Sequence, residues 1–173
     1  MGSALCASAR ELPVPVTRQP ALLLLHGEDL GGRACIETGV ELRGAVVACG
    51  GHPRVAWPFG DTAQSFVNAA GADAAARIKD TLGVEESQIS ALDAELIAEQ
   101  AQRCQVTSVI TPEAPVGPLA DGLALLTQEL GSSGITLHRI RNPWDARAWP
   151  HALKGFFSFR QRIPQLLQQA GLA

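Results

Sequence analysis

Five short apolar runs alternate with helical patterns along this chain, and that alternation constrains the fold more than any single residue does. The runs extend from Ala21 to Leu25, Gly44 to Cys49, Gln88 to Leu92, Val106 to Ile110 and Ile135 to Ile140. Each is strand-length. The first is continuously apolar, as a central parallel strand covered on both faces must be. Between the runs lie stripes of helical period. Phe66, Ala70, Ala74, Ile78 and Leu82 fall four apart, with Val67 beside them. Leu119, Leu123, Leu126 and Leu130 form a second stripe, opened by Pro118 and broken from Gly131 to Gly134. Asp61 or Thr62 is the expected cap of the first striped helix, and Gly83 its end. Asp93 is the expected cap of a helix running to Cys104, with a second acid near its start. A short helix is expected from Arg33 to Leu42, and an amphipathic helix at the end of the chain.

Strand followed by helix, repeated, predicts a parallel sheet with helices on both faces. The fold class read from the sequence is α/β: a doubly wound, five-stranded parallel sheet in the order 3-2-1-4-5. Residues 1–20 are expected to be irregular, because Pro13, Pro15 and Pro20 oppose regular structure. Residues 21–173 are expected to form one Rossmann-like domain, since no repeat, linker or low-complexity run divides them.

Such sheets bind ligands outside the carboxyl ends of their strands, where the winding reverses. Here that crevice falls between the segment from His26 to Gly32, HGEDLGG, and the segment from Thr111 to Gly117. The candidate binding residues are therefore His26, Gly27, Glu28, Asp29, Thr111, Pro112, Glu113 and Gly117. Topology places this site. HGEDLGG is neither GxGxxG nor a P-loop, and no Lys stands ready for a terminal phosphate. Glu28 and Asp29 have two readings: paired carboxylates able to hold Mg²⁺ beside a phosphate, or a turn that caps the next helix. His26 is either a ligand-contacting imidazole or a structural histidine. The sequence contains neither GxSxG nor HExxH, so no hydrolase elbow or zincin motif is present.

The stretch from Asn142 to Leu167 stands apart. It holds two of the three Trp and three of the five Phe. Trp144 joins the candidate binding residues, because Trp144 and Trp149 are of the type that stacks on a flat ring; packing under a connection is the other reading. Phe156, Phe159 and Ile163 share one helical face and Phe157 another, so either both faces are buried or one Phe is exposed as a contact. From Ile135 onward six Lys+Arg face one acid, a net +5, which leaves −8 for the rest of a chain of net charge −3. A basic, aromatic end is either a solvated surface or a docking surface for an acidic partner, a second copy or a separate helical subunit. DNA binding is disfavoured by the negative net charge. No apolar run is long enough to span a membrane, and no signal peptide is visible. The four cysteines, Cys6, Cys35, Cys49 and Cys104, lack metal-ligand spacing and are expected as free thiols in a cytoplasmic protein.

Several segments in succession resemble the N-terminal α/β domain of the DNA photolyase/cryptochrome family. The first strand is followed by Asp29-Leu30. After the last strand come Trp144-Asp145 and then Gly155-Phe-Phe-Ser-Phe-Arg160. The resemblance spans Ala21 to Leu167 and is best from Leu92 onward. It departs at Gly27 and Glu28, where the family carries adjacent arginines. The chain ends where that family's linker to its helical flavin-binding domain would begin. Repair chemistry is therefore not implied. The resemblance implies a non-catalytic module that binds an antenna chromophore (folate, flavin or deazaflavin) or a nucleotide, or that supports a flavin domain.

Overall fold

The computed structural model describes residues 18–56 and 60–172. The expected irregular start lies outside these up to residue 17, as do Cys6 and Trp57. The described residues divide into two compact units, 18–140 and 141–172.

The first unit is the sheet and its helices. Strands β1 (Ala21–His26), β2 (Leu42–Ala48), β3 (Glu86–Ile89), β4 (Ser108–Pro112) and β5 (Thr136–Ile140) form one sheet in the order β3-β2-β1-β4-β5. All four pairings are parallel. The doubly wound topology expected from the alternation is the one observed. Strand β1 is central, and each of its residues is buried. Its side chains divide between two cores, as strand alternation requires. Leu22 and Leu24 enter one core with Val109 and the helices α3 (Ala94–Arg103) and α4 (Pro118–Ser132). Leu23 and Leu25 enter the other with Ile110 and the helices α1 (Arg33–Ile36) and α2 (Asp61–Leu82).

The helices form for local reasons. Asp93 caps α3, its Oδ1 accepting from the N–H groups of Glu95 at 2.9 Å and Leu96 at 3.2 Å. Pro118 opens α4, and Leu119, Leu123, Leu126 and Leu130 are its buried face. Gly83 ends α2 in the left-handed region, φ 65°.

Several bounds differ from expectation. Helix α1 stops at Ile36 rather than Leu42. The Thr38 hydroxyl donates to Cys35 O at 2.6 Å, occupying the carbonyl that the next turn needs, and Leu42 pairs with β1 instead. Helix α2 is capped by Gly60, with no side-chain bond from Asp61 or Thr62. Phe66 is not on its buried stripe but 74% exposed. The buried line runs through Gly71, Ala74, Ala75 and Ile78. A Cβ on Gly71 would lie 2.3 Å from Cys49 Sγ, so the helix approaches the sheet too closely for a large ring. Strand β3 is Glu86–Ile89, and Leu92 packs instead in the α3/α4 core. Strand β4 extends to Pro112, so Thr111 and Pro112 are strand residues, not loop residues.

The second unit does not end in the one amphipathic helix expected from the sequence, but in short segments. It consists of α5 (Pro143–Ala148), a 3₁₀ turn (Trp149–Lys154), α6 (Phe156–Arg160) and α7 (Ile163–Gln169). Gly155, at φ 86°, separates α6 from the turn before it. Pro150 and Pro164 each lie in the first turn of a new segment, where a missing N–H costs nothing. Leu166 is the one buried side chain among its described residues. Among the described residues, no helix is long and apolar enough to cross a membrane.

Candidate functional site

The winding of the sheet reverses between β1 and β4, so the switch point lies at the carboxyl ends of these two strands. His26 is the last residue of β1 and is completely buried. Its Nε2 lies 2.9 Å from the carbonyl oxygen of Pro112, the last residue of β4. A carbonyl only accepts, so Nε2 carries the proton and donates it. Nδ1 is then an unprotonated acceptor. It is buried, and no hydrogen-bond partner reaches it; Thr111 Oγ1 is in the same position. A buried polar atom without a partner costs about 1–3 kcal/mol, so a pair of them at one sheet edge calls for an explanation.

The residues after His26 form a tight turn. Asp29 N–H donates to His26 O at 3.0 Å. Asp29 Oδ1 accepts from the N–H groups of Gly31 and Gly32, both at 2.9 Å, and so ties the turn to the start of α1. Asp29 thus closes the turn before α1, while α1 itself has no side-chain cap. Glu28 and Gly27 are exposed. Beyond the end of β4, Glu113 N–H donates to Ile140 O at 2.9 Å. Gly117 precedes α4 at φ 151°, a conformation open to glycine, and α4 has no side-chain cap. The structure thus brings His26, Thr111 and Pro112 together, with the turn through Asp29 following directly. Trp144 belongs to the 141–172 unit. There its N–H donates to Asn142 Oδ1 at 2.9 Å, the cap of α5, while the Arg141 guanidinium stacks 4.9 Å from the centre of the Trp149 ring.

No protein-family model matches this chain, and no curated protein does. What the site can do rests on its own residues.

A second polar cluster escaped sequence reasoning. His52, buried, presents Nε2 to Glu129 Oε2 at 2.8 Å and accepts the Arg54 N–H at Nδ1, 3.1 Å away. The Arg54 guanidinium pairs with the other oxygen of Glu129. The hydrogen bond from His52, with the charge and hydrogen bond of Arg54, holds the Glu129 carboxyl below its ordinary range. Both ring nitrogens of His52 are engaged, so it is not a free general base. A cleft of about 520 Å³ lies beside this cluster, bounded by Arg54, Leu92, Asp93, Glu95 and Ser133. Residues 77 positions apart give no sequence signal for such a pair.

Burial pushes the Cys35 thiol up to about 12 and raises that of Cys104, so both stay protonated at neutral pH. Cys35, Cys49 and Cys104 are free thiols. Among the described residues, no group of three His, Cys, Asp or Glu is placed to hold a metal ion.

Acid should weaken this fold. Burial lowers the pKa of His26 and of His138 below the ordinary 6.5. The unfolded chain therefore takes up protons first as pH falls. The contribution of both histidines is complete above 6.5 and is lost as pH falls below it. The lowered carboxyl of Glu129 acts in the same direction at more acid pH. The urea midpoint should fall steadily from about pH 7.5 to about pH 5 and further below that. A midpoint that stayed level or rose over that window would contradict the burial of His26.

Proposed function

We propose that the chain is a non-catalytic binding module, related to the α/β domain of the photolyase/cryptochrome family. It takes a nucleotide or flat chromophore of the folate, flavin or deazaflavin class at the crevice between the turn from His26 to Asp29 and the segment from Thr111 to Gly117. One observation carries this reading: His26 Nδ1 and Thr111 Oγ1, buried and unpartnered, stand at the reversal point of the sheet. Binding sites of this fold class lie at that place, and such sites use a few placed polar groups in otherwise apolar surroundings. Among the described residues, His52 has both ring nitrogens engaged and the Cys35 and Cys104 thiols are held protonated, which supports binding over catalysis.

An absorbance and mass spectrum of the purified protein, native and then denatured, tests the reading. The expected result is a released heterocycle, or uptake of one by the apo protein from a panel of folate, flavin, deazaflavin and nucleotides. A protein that carries none and takes up none would contradict it.

A second reading is favoured by a separate observation. Phe156 and Phe157 are 65% and 78% exposed, and their rings meet edge to face at 5.7 Å. Lys154, Arg160 and Arg162 lie close by in sequence. Exposed aromatic residues beside positive charge suit a docking surface, for a second copy or a separate helical partner. Sedimentation of the wild type against Phe156→Ser/Phe157→Ser distinguishes it: self-association lost in the variant supports docking between copies, and a monomer in both opposes it.

A further inference from the structure

Residues 141–172 form a cavity of their own, of about 160 Å³. Asp145, Ala148, Trp149 and Ala152 line it. Their spacing is i, i+3, i+4, i+7, so they share one face of the run from α5 into the 3₁₀ turn. Gly155 then takes φ 86°, a conformation open to glycine, and α6 packs back on that turn. Phe159 of α6 completes the lining. The two alanines leave the space open, and a longer side chain at either place would fill it.

Two aromatic rings and a carboxylate around a small space suit a cation. The face of an aromatic ring attracts positive charge, and Trp does so most strongly. Trp149 already draws one cation: the Arg141 guanidinium lies 4.9 Å from the ring centre, and Arg141 is not among the residues lining the cavity. A primary ammonium is strongly hydrated and loses much on entering a half-apolar space. A methylated ammonium loses less, and aromatic cages are the usual way to recognise it. The volume fits such a head and falls below the roughly 300 Å³ at which pockets for larger organic ligands begin. Residues 141–172 carry five Lys and Arg against the single acid Asp145, a net +4. That charge opposes a ligand that is only cationic and favours one that also carries an anionic group.

We infer that this cavity binds the methylated ammonium head of a zwitterion of the phosphocholine class, with Trp149 and Phe159 against the cation, Asp145 beside it, and the anionic group turned toward the basic side chains of the same unit. Lys154 and Arg160, both exposed, follow the lining residues Ala152 and Phe159 closely in the chain. The head can come from a soluble compound or from a lipid. Leu153, Phe156 and Phe157, exposed on the same segment, are of the type that a bilayer surface covers. The inference is independent of the switch-point reading, and its failure leaves that reading untouched.

The test titrates the full chain calorimetrically with phosphocholine, phosphoethanolamine and 3,3-dimethylbutyl phosphate, which keeps the shape of phosphocholine and loses its positive charge. Phosphocholine is expected to bind, and each of the other two to bind more weakly by about fivefold or more. Ala152→Leu fills the cavity and keeps both rings; it should weaken phosphocholine by about tenfold or more. Trp149→Leu keeps apolar bulk. It should weaken phosphocholine by about fivefold and leave the uncharged analogue unchanged, a split that misfolding would not produce. Sedimentation with phosphatidylcholine vesicles separates the two sources. Co-sedimentation that soluble phosphocholine competes away assigns the lipid head, and protein left in the supernatant assigns the soluble compound. No binding of phosphocholine overturns the inference, and so does equal binding of the uncharged analogue. Unchanged affinity in Ala152→Leu, or tighter binding of a trimethyl-lysine peptide than of phosphocholine, also overturns it.

Discussion

Replacing Leu24 with Ala should destabilise the protein by about 2–5 kcal/mol, the largest single-residue effect expected in the sheet. Leu24 sits in the central strand, is fully buried, and joins Leu22, Val109, Leu123 and Leu126 in one core. Removing three carbons there loses transfer free energy and leaves a cavity. Neighbours on the rigid strands β2 and β4 cannot move in to fill it. Leu96 provides the contrast. It lies on α3 but is 45% exposed, and Leu96→Ala should change stability by less than about 0.5 kcal/mol. Urea unfolding of both variants checks the pair. Equal midpoints would contradict the assignment of Leu24 to the core.

Gly50→Ala should also be severe, for a different reason. A Cβ at Gly50 would lie 2.3 Å from the carbonyl oxygen of Ser90. That atom belongs to the backbone and cannot rotate aside. Hydrogen bonds hold the two segments together on either side of the contact, Cys49 N–H to Ile89 O at 2.9 Å and Leu92 N–H to Gly51 O at 3.1 Å. Relieving the clash therefore means parting the ends of β2 and β3. Overpacking of this kind costs about 1–3 kcal/mol, and strained ladder bonds add to it. Gly131→Ala, in contrast, meets nothing within 4 Å inside α4 and should stabilise by about 0.5–1 kcal/mol. If both substitutions move the unfolding midpoint alike, the close approach at Gly50 is wrong.

The parts of the fold that were legible in the sequence are those set by local pattern. The unbroken run from Ala21 to Leu25 announces a strand covered on both faces, and Leu119, Leu123, Leu126 and Leu130 announce a helix face; both stand in the structure. Asp93, Pro118 and Gly83 marked helix ends because capping is a matter of a few bonds nearby. Where tertiary contact decides, the pattern misled. Phe66 has the right spacing for the buried stripe, yet the buried line runs through Gly71, Ala74, Ala75 and Ile78 and leaves Phe66 exposed. Leu92 is as apolar as a strand residue but is buried from a loop, beyond the end of β3. In the second unit, proline and glycine outweigh the apolar spacing of Phe156, Phe159 and Ile163 and divide it into short segments.

For the site, His26 was visible as the end of an apolar strand before a glycine. That Pro112 O takes its Nε2 proton was not visible, because the two residues are 86 positions apart and meet only through strand order. The sequence places Thr111 in a loop; its place in β4 is what buries its hydroxyl. The bond between His52 and Glu129 needs the same long-range knowledge.

The most direct test of the central claim is a two-dimensional ¹⁵N NMR titration of the labelled protein with riboflavin, following backbone amides and the histidine ring nitrogens. Changes are expected to centre on the turn from His26 to Gly32 and on the segment from Thr111 to Gly117, with the His26 Nδ1 resonance moving as it gains a donor. Changes centred instead on His52, Asp93 and Glu129, with His26 unmoved, would contradict it and place binding in the cleft beside α3.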